Sequence, residues 1–125
     1  MFDLEQLRRH VWLREVEFHD AIESTNVRAA ELAAGGVVNC PQLVLAAGQS
    51  AGKGRGANRW WSSAGALTFS LLIEPEALGL RSEQWPRTSL CAALAVRDAV
   101  DNLAPADDCG VAARLEVRPI AFGEC

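Results

Sequence analysis

The chain predicts an α+β domain of mixed α/β character, and three observations carry that reading. Two short apolar runs, residues 42–46 and 66–73, have the length and composition of buried strands. Helical periodicity lies before, between and after the strand signals. A glycine-rich loop, residues 47–63, joins the two runs, so rigid elements hold it at both ends.

Taken in order, residues 2–14 read as a helix that Asp3 can cap, with Leu4, Leu7 and Val11 on one face. Val16 and Phe18 alternate with Glu17 and His19, the pattern of a short strand. A second helix runs to Ala34, with Ser24 or Thr25 as N-cap and Gly35 at C′. Capping is the simplest role for Ser24, Thr25 and Asn26 on local grounds. After the second run, residues 74–85 read as a connector. A long helix begins near Pro86 and ends at Leu103, where Ala104-Pro105 stops it. Its inner stripe is Val96, Ala99, Val100 and Leu103, widened by Leu90 and Leu94. Residues 106–110 form a polar turn. Residues 111–125 alternate around Leu115, Val117 and Ile120 without a turn or cap that closes a domain.

Length and charge narrow the function classes. With 125 residues, half of them apolar, the chain fits one domain, residues 1–125. A net charge of −4 argues against a general binder of nucleic acid or membrane surfaces. No apolar run approaches the roughly 18 residues of a membrane span, and the N-terminal FDLEQLRRH does not read as a secretory signal. Cys40, Cys91, Cys109 and Cys125 lack metal-ligand spacing and read as reduced thiols of a cytoplasmic protein; no metal site is expected. His10 and His19 fall in different elements and suggest no site.

The chemistry concentrates in the loop AGQSAGKGRGANRWWSS. Gly52, Gly54 and Gly56 alternate with Lys53 and Arg55, and Arg59 leads into Trp60 and Trp61. Glycines let backbone N–H groups come close to a ligand. Cations supply donors for phosphate or carboxylate oxygens, and an indole face can stack on a heterocycle. Residues 32–73 hold no Asp or Glu, so the positive field there is expected to be unopposed. A positive island in an acidic chain suits a small anionic, partly aromatic ligand such as a nucleotide. The pattern alone also suits a solvated surface loop. It is neither a Walker A loop nor a dinucleotide fingerprint, since no GK[ST] occurs and GKGRGA opens no helix.

Glu23-Ser24-Thr25-Asn26, then Gln49-Ser50-Ala51-Gly52-Lys53-Gly54-Arg55-Gly56 and Arg59-Trp60-Trp61-Ser62, resemble the biotin protein ligases. Gly65-Ala66-Leu67-Thr68-Phe69-Ser70-Leu71-Leu72 fits the core strand of that family. The resemblance covers about residues 16–103 and leaves residues 109–125 atypical. It implies a biotin/lipoate ligase-like sheet with flanking helices, related to the class II synthetases and incomplete at its C-terminal end. The implied reaction joins biotin and ATP, with Mg2+, into biotinyl-5′-adenylate, and passes the acyl group to a lysine of a carboxylase carrier domain. By family position Ser24, Thr25, Asn26, Gln49, Gly52 and Lys53 are the expected biotin side. Gly52, Gly54, Arg55, Arg59 and Trp60 are the expected nucleotide side, with Arg55 and Lys53 nearest the chemistry.

Three departures stand out. Lys53 and the pair Ala57 and Asn58 occupy positions where the family commonly has Arg, Gly and Arg. The family's Lys-Trp-Pro-Asn-Asp strand has no counterpart: Arg114-Leu115-Glu116-Val117-Arg118-Pro119-Ile120 stands there, and Lys53 is the only lysine in the chain. The chain is therefore expected to correspond to the N-terminal part of a catalytic domain. No DNA-binding domain is expected, and an open sheet edge would favour a homodimer. Competing readings are a lipoate or octanoate ligase or transferase, a non-catalytic biotin- or nucleotide-binding fragment, and a single-strand nucleic-acid binder, which the charge disfavours.

Overall fold

The computed structural model describes residues 2–36, 38–53 and 57–103. The elements run α1 (Leu4–Arg8), β1 (Glu15–His19), α2 (Thr25–Ala34), β2 (Gln42–Ala46), β3 (Gly52–Lys53), β4 (Arg59–Trp60), β5 (Thr68–Leu72) and α3 (Trp85–Leu103). They fall into two compact units, Met1–Glu74 and Pro75–Cys125.

In the first unit β2 is the central strand, and all five of its residues are buried. β1 pairs with it in parallel, Val16 opposite Leu43 and Phe18 opposite Leu45. β5 pairs on the other side, antiparallel, Val44 opposite Ser70 and Leu45 opposite Phe69. Side chains alternate across a strand, so β2 serves two cores. Leu43 and Leu45 join Val16 on the face that α1 covers, where Phe2, Leu4, Leu7, Leu13 and Phe18 close in. The Phe2 and Phe18 rings meet edge to face, with centroids 5.9 Å apart. Val44 joins Ala29 and Leu72 on the α2 face, backed by Leu32, Ala33, Val38 and Cys40. Burial pushes the Cys40 thiol up, and the Glu74 carboxylate adds to it, so its reactive thiolate is disfavoured.

Several expectations need correction. The first helix is only Leu4–Arg8, not residues 2–14. The chain then turns, because the Arg14 N–H must reach the Pro41 carbonyl, 2.8 Å away, to start β1 beside β2. The second helix ends with Gly35 still right-handed, and it is Gly36, at φ 71°, that takes the left-handed turn. The strand in residues 66–73 is not buried throughout. Phe69 and Leu71 are 42% and 40% exposed, while Ser70 and Leu72 are buried.

An ion-pair strut locks α2 onto β1. Glu17 accepts from Arg28 Nε at 2.6 Å and from Nη2 at 3.2 Å, and His19 Nε2 lies 2.6 Å from the same carboxylate. The Arg28 guanidinium above all, with His19 helping against the opposing effect of burial, holds the Glu17 carboxyl below its ordinary value. A depressed folded-state value means that this strut contributes stability above the ordinary carboxylate range and loses it as pH falls through the depressed value. The melting temperature is therefore expected to drop as pH falls below the ordinary carboxylate range. In Glu17→Gln that slope should flatten; an unchanged slope in thermal melts would remove the strut from the acid sensitivity.

In the second unit a 3-10 turn, Ser82–Gln84, sits inside the expected connector and leads into α3 at Trp85, with Pro86 in the first turn. Leu90 and Leu94, expected on the inner stripe, are exposed. Among the described residues no helix is long and apolar enough to cross a membrane. The expectations for residues 104–125, including the stretch in place of the family's lysine strand, lie outside the described residues.

Candidate functional site

The site forms because residues 47–51 continue alongside residues 19–23 after β1 and β2 end. Ala47 N–H donates to His19 O at 2.9 Å, Ser50 N–H to Ile22 O at 3.0 Å and Ala51 N–H to Glu23 O at 2.9 Å. This extension sets Gln49 beside the start of α2. There the Thr25 N–H donates to Gln49 Oε1 at 2.7 Å, and the Thr25 hydroxyl donates to the same oxygen at 3.1 Å. Gln49, 24 residues on in the chain, thus does the capping that was expected of Ser24 or Thr25.

Ser70 completes the cluster from β5. Its hydroxyl lies 2.7 Å from Asn26 Oδ1 and 3.0 Å from Thr25 Oγ1. Asn26 then turns its Nδ2 toward the Lys53 carbonyl, 3.4 Å away, which ties α2 to the hairpin. Sequence reasoning placed Ser70 only within a core strand. The available signal was that Thr68 and Ser70, the two polar residues of an apolar strand, share one face at a period of two.

Ser24 is 1% exposed, caps no backbone N–H, and its hydroxyl has no partner among the described residues. A buried hydroxyl without a partner costs about 1–3 kcal/mol, so Ser24 holds unused hydrogen-bonding capacity at the start of α2.

The glycine loop has its own ladder. β3 and β4 pair antiparallel, Gly52 opposite Trp60 and Lys53 opposite Arg59. Opposed residues share a face of the ribbon, so Lys53 and Arg59 lie on one side and the Trp60 indole on the other. Two cations directly across from each other repel, and an anion between them would relieve that. Contrary to expectation the field is not unopposed. Glu23, from outside the acid-free span, brings Oε1 to 4.0 Å from Lys53 Nζ. Gly52 is the close-packing point: a Cβ there would meet Gln49 Nε2 at 2.7 Å and Trp60 O at 2.9 Å. Gly54 and Arg55 lie outside the described residues.

The described residues therefore bring together Ser24, Thr25, Asn26, Gln49, Gly52 and Lys53, with Arg59 and Trp60 on the adjoining ribbon. A separate cleft of about 220 Å³, lined by Arg8, Leu13, Arg14, Glu15 and Val16, lies at the other end of β1 and shares no residue with this cluster.

Residues 19–116 match the Biotin/lipoate A/B protein ligase family. A biotin--[acetyl-CoA-carboxylase] ligase of Paracoccus denitrificans is 38% identical over 96 residues, which cover 77% of this chain and 36% of that protein. The bifunctional ligase/repressor BirA of Bacillus subtilis is 33% identical over 101 residues, covering 78% of this chain and 29% of that protein. The chain thus spans about a third of the length of these relatives. A solved structure of the biotin acetyl coenzyme A carboxylase synthetase from Helicobacter pylori, with bound biotinylated ATP, aligns with a TM-score of 0.47 and 32% identity over 50% of this chain and 30% of that one. The family match covers most of the chain and spans every residue of the cluster just described: the chain belongs to the biotin/lipoate A/B protein ligase family.

Proposed function

We propose that this chain carries the biotin- and nucleotide-binding half of a biotin protein ligase site, where biotin is activated with ATP to biotinyl-5′-adenylate and delivered to a lysine of a carboxylase carrier domain. The name of the Paracoccus denitrificans relative, a biotin--[acetyl-CoA-carboxylase] ligase, supports biotin over lipoate as the acyl group. The observation that carries the reading is the buried hydroxyl of Ser24, without a partner among the described residues, beside the Thr25–Gln49–Asn26–Ser70 cluster. A ureido ring offers two N–H donors and one carbonyl acceptor, and hydroxyl and amide side chains match both kinds of group.

In the first step a carboxylate oxygen attacks the α-phosphorus and pyrophosphate leaves; in the second an amine attacks the acyl carbon and AMP leaves. Both steps bring anions together or spread charge on oxygen. Lys53 and Arg59 supply cationic donors from one face of the ribbon, Arg55 is assigned the same role from the loop, and Gly52 and Gly54 keep the backbone close to the ligand. Trp60 offers its indole to the adenine from the opposite face. Magnesium enters with the ATP phosphates. It would neutralise charge on the phosphate oxygens there, and no step here relies on it. The setting of such a reaction, alongside a carboxylase, is cytoplasmic.

The test is calorimetric titration of biotin and of a sulfamoyl analogue of biotinyl-adenylate into the purified chain and its Ser24→Ala variant. A structural N-cap would lose stability on this change. Here the variant should melt at or above the parent temperature, because an unpaired buried hydroxyl is gone, while binding weakens about two- to tenfold. A folded parent chain that ignores both ligands would overturn the reading.

A further inference from the structure

We infer that Lys53 is a self-acylation site: the adenylate formed or captured by this chain transfers its biotinyl group to the chain's own Lys53. This rests on the biotinyl-adenylate reading above, and it is carried by separate observations. Lys53 is the only lysine among 125 residues, so the side-chain amine chemistry of the whole chain is concentrated at this one position. That position is the rim of the candidate site: its carbonyl accepts from the Asn26 amide and its residue pairs with Arg59 across the ribbon. Its side chain is 61% exposed, so the four-carbon stem is free to move at that rim.

Glu23 supplies the remaining element. Its carboxylate stands 4.0 Å from Lys53 Nζ, close enough to keep the amine at the rim and to take up the proton it sheds. In the transfer the free amine attacks the acyl carbon of the mixed anhydride and a C–N bond forms. The bond from that carbon to the phosphate oxygen breaks, AMP departs with the electron pair, and the amine's proton goes to Glu23 or water. No other co-reactant is needed. An arginine in the same place would bind the phosphate bidentately without being acylated, so what the lysine brings is a reactive amine. Acylation also removes that charge and sets a bulky chain on the rim, so the modified molecule is expected to bind adenylate poorly and the reaction to be self-limiting.

The experiment uses the full chain and synthetic biotinyl-5′-adenylate, which bypasses activation. Intact-mass spectrometry with peptide mapping follows labelling in the folded chain, in the same chain held in urea, and in folded chain saturated with the sulfamoyl analogue. The proposal expects label at Lys53, at least about tenfold faster folded than unfolded and suppressed by the analogue. Glu23→Gln should slow it, and Lys53→Arg should leave only the N-terminal amine labelled. Equal rates folded and unfolded would mean acylation from solution and overturn the proposal. So would an unlabelled Lys53 in a chain that binds the analogue, with the ligase-site reading left standing. Failure to bind the analogue at all would overturn both.

Discussion

Leu45→Ala is expected to destabilise the first unit by about 2–4 kcal/mol. Leu45 is 2% exposed and sits at the centre of β2, with Phe18 opposite it on β1 and Phe69 opposite it on β5. Its side chain belongs to the core that α1 closes, together with Val16 and Leu43. Truncation removes apolar area and leaves a cavity; the partly exposed Phe69 can move in to fill part of it, which holds the loss below the upper end for such changes. Since whole domains are stable by only about 5–15 kcal/mol, this is a large share. Urea denaturation should show a lower midpoint at an unchanged slope, and Leu45→Met, which conserves volume, should lose less than about 1.5 kcal/mol. A loss under about 1 kcal/mol for the alanine variant would contradict a core built on this face.

What could be read in advance followed local signals. Residues 42–46 announced a buried strand because every side chain is apolar except Gln42, and the sheet does bury it on both faces. The helix of residues 25–34 was legible from the small residues before it and the glycines after it. The glycine loop and the Glu23-Ser24-Thr25-Asn26 motif pointed to the same family that residues 19–116 match. What escaped is information that exists only once distant segments meet. Ser24 reads locally as a cap, yet a side chain from residue 49 takes that place and leaves the hydroxyl without a partner among the described residues. Glu23 opposes Lys53 although no acid lies near Lys53 in the chain.

The strand of residues 66–73 shows why composition misled. Leucines and a phenylalanine made it read as uniformly buried, but its alternation runs the unusual way. The apolar Phe69 and Leu71 lie partly exposed on one face, while Ser70 is buried on the other, where α2 and the site are. An apolar count cannot register that, whereas a period-two reading of Thr68 and Ser70 could have. The first helix failed in the opposite direction. Val11 continues the helical stripe but is 94% exposed, because the backbone bond from Arg14 to Pro41 takes the chain out of the helix first.

Gly52→Ala carries the largest effect expected on the site, and the reason is what surrounds its missing side chain. A Cβ would sit 2.7 Å from Gln49 Nε2, 2.9 Å from Trp60 O and 3.0 Å from Trp60 Cβ. Gln49 has a side chain that could swing away, but its Oε1 holds both the N–H and the hydroxyl of Thr25, and moving it strips the start of α2 of its cap. The Trp60 carbonyl is backbone of the facing strand, so it can retreat only by opening the two-residue ladder that carries Lys53, Arg59 and Trp60. Either relaxation dismantles one half of the site, the Gln49 amide or the cationic ribbon. A stability loss of about 1–3 kcal/mol is expected from the overpacking, with a roughly hundredfold loss of affinity for the sulfamoyl analogue. Gly48→Ala is the matched control, since its nearest neighbour beyond the adjacent residues is Asp20 O at 4.0 Å, and it should melt and bind like the parent. If Gly52→Ala kept full affinity in calorimetry, Gln49 and the ribbon would have to act independently of each other, and the cluster would no longer be one site.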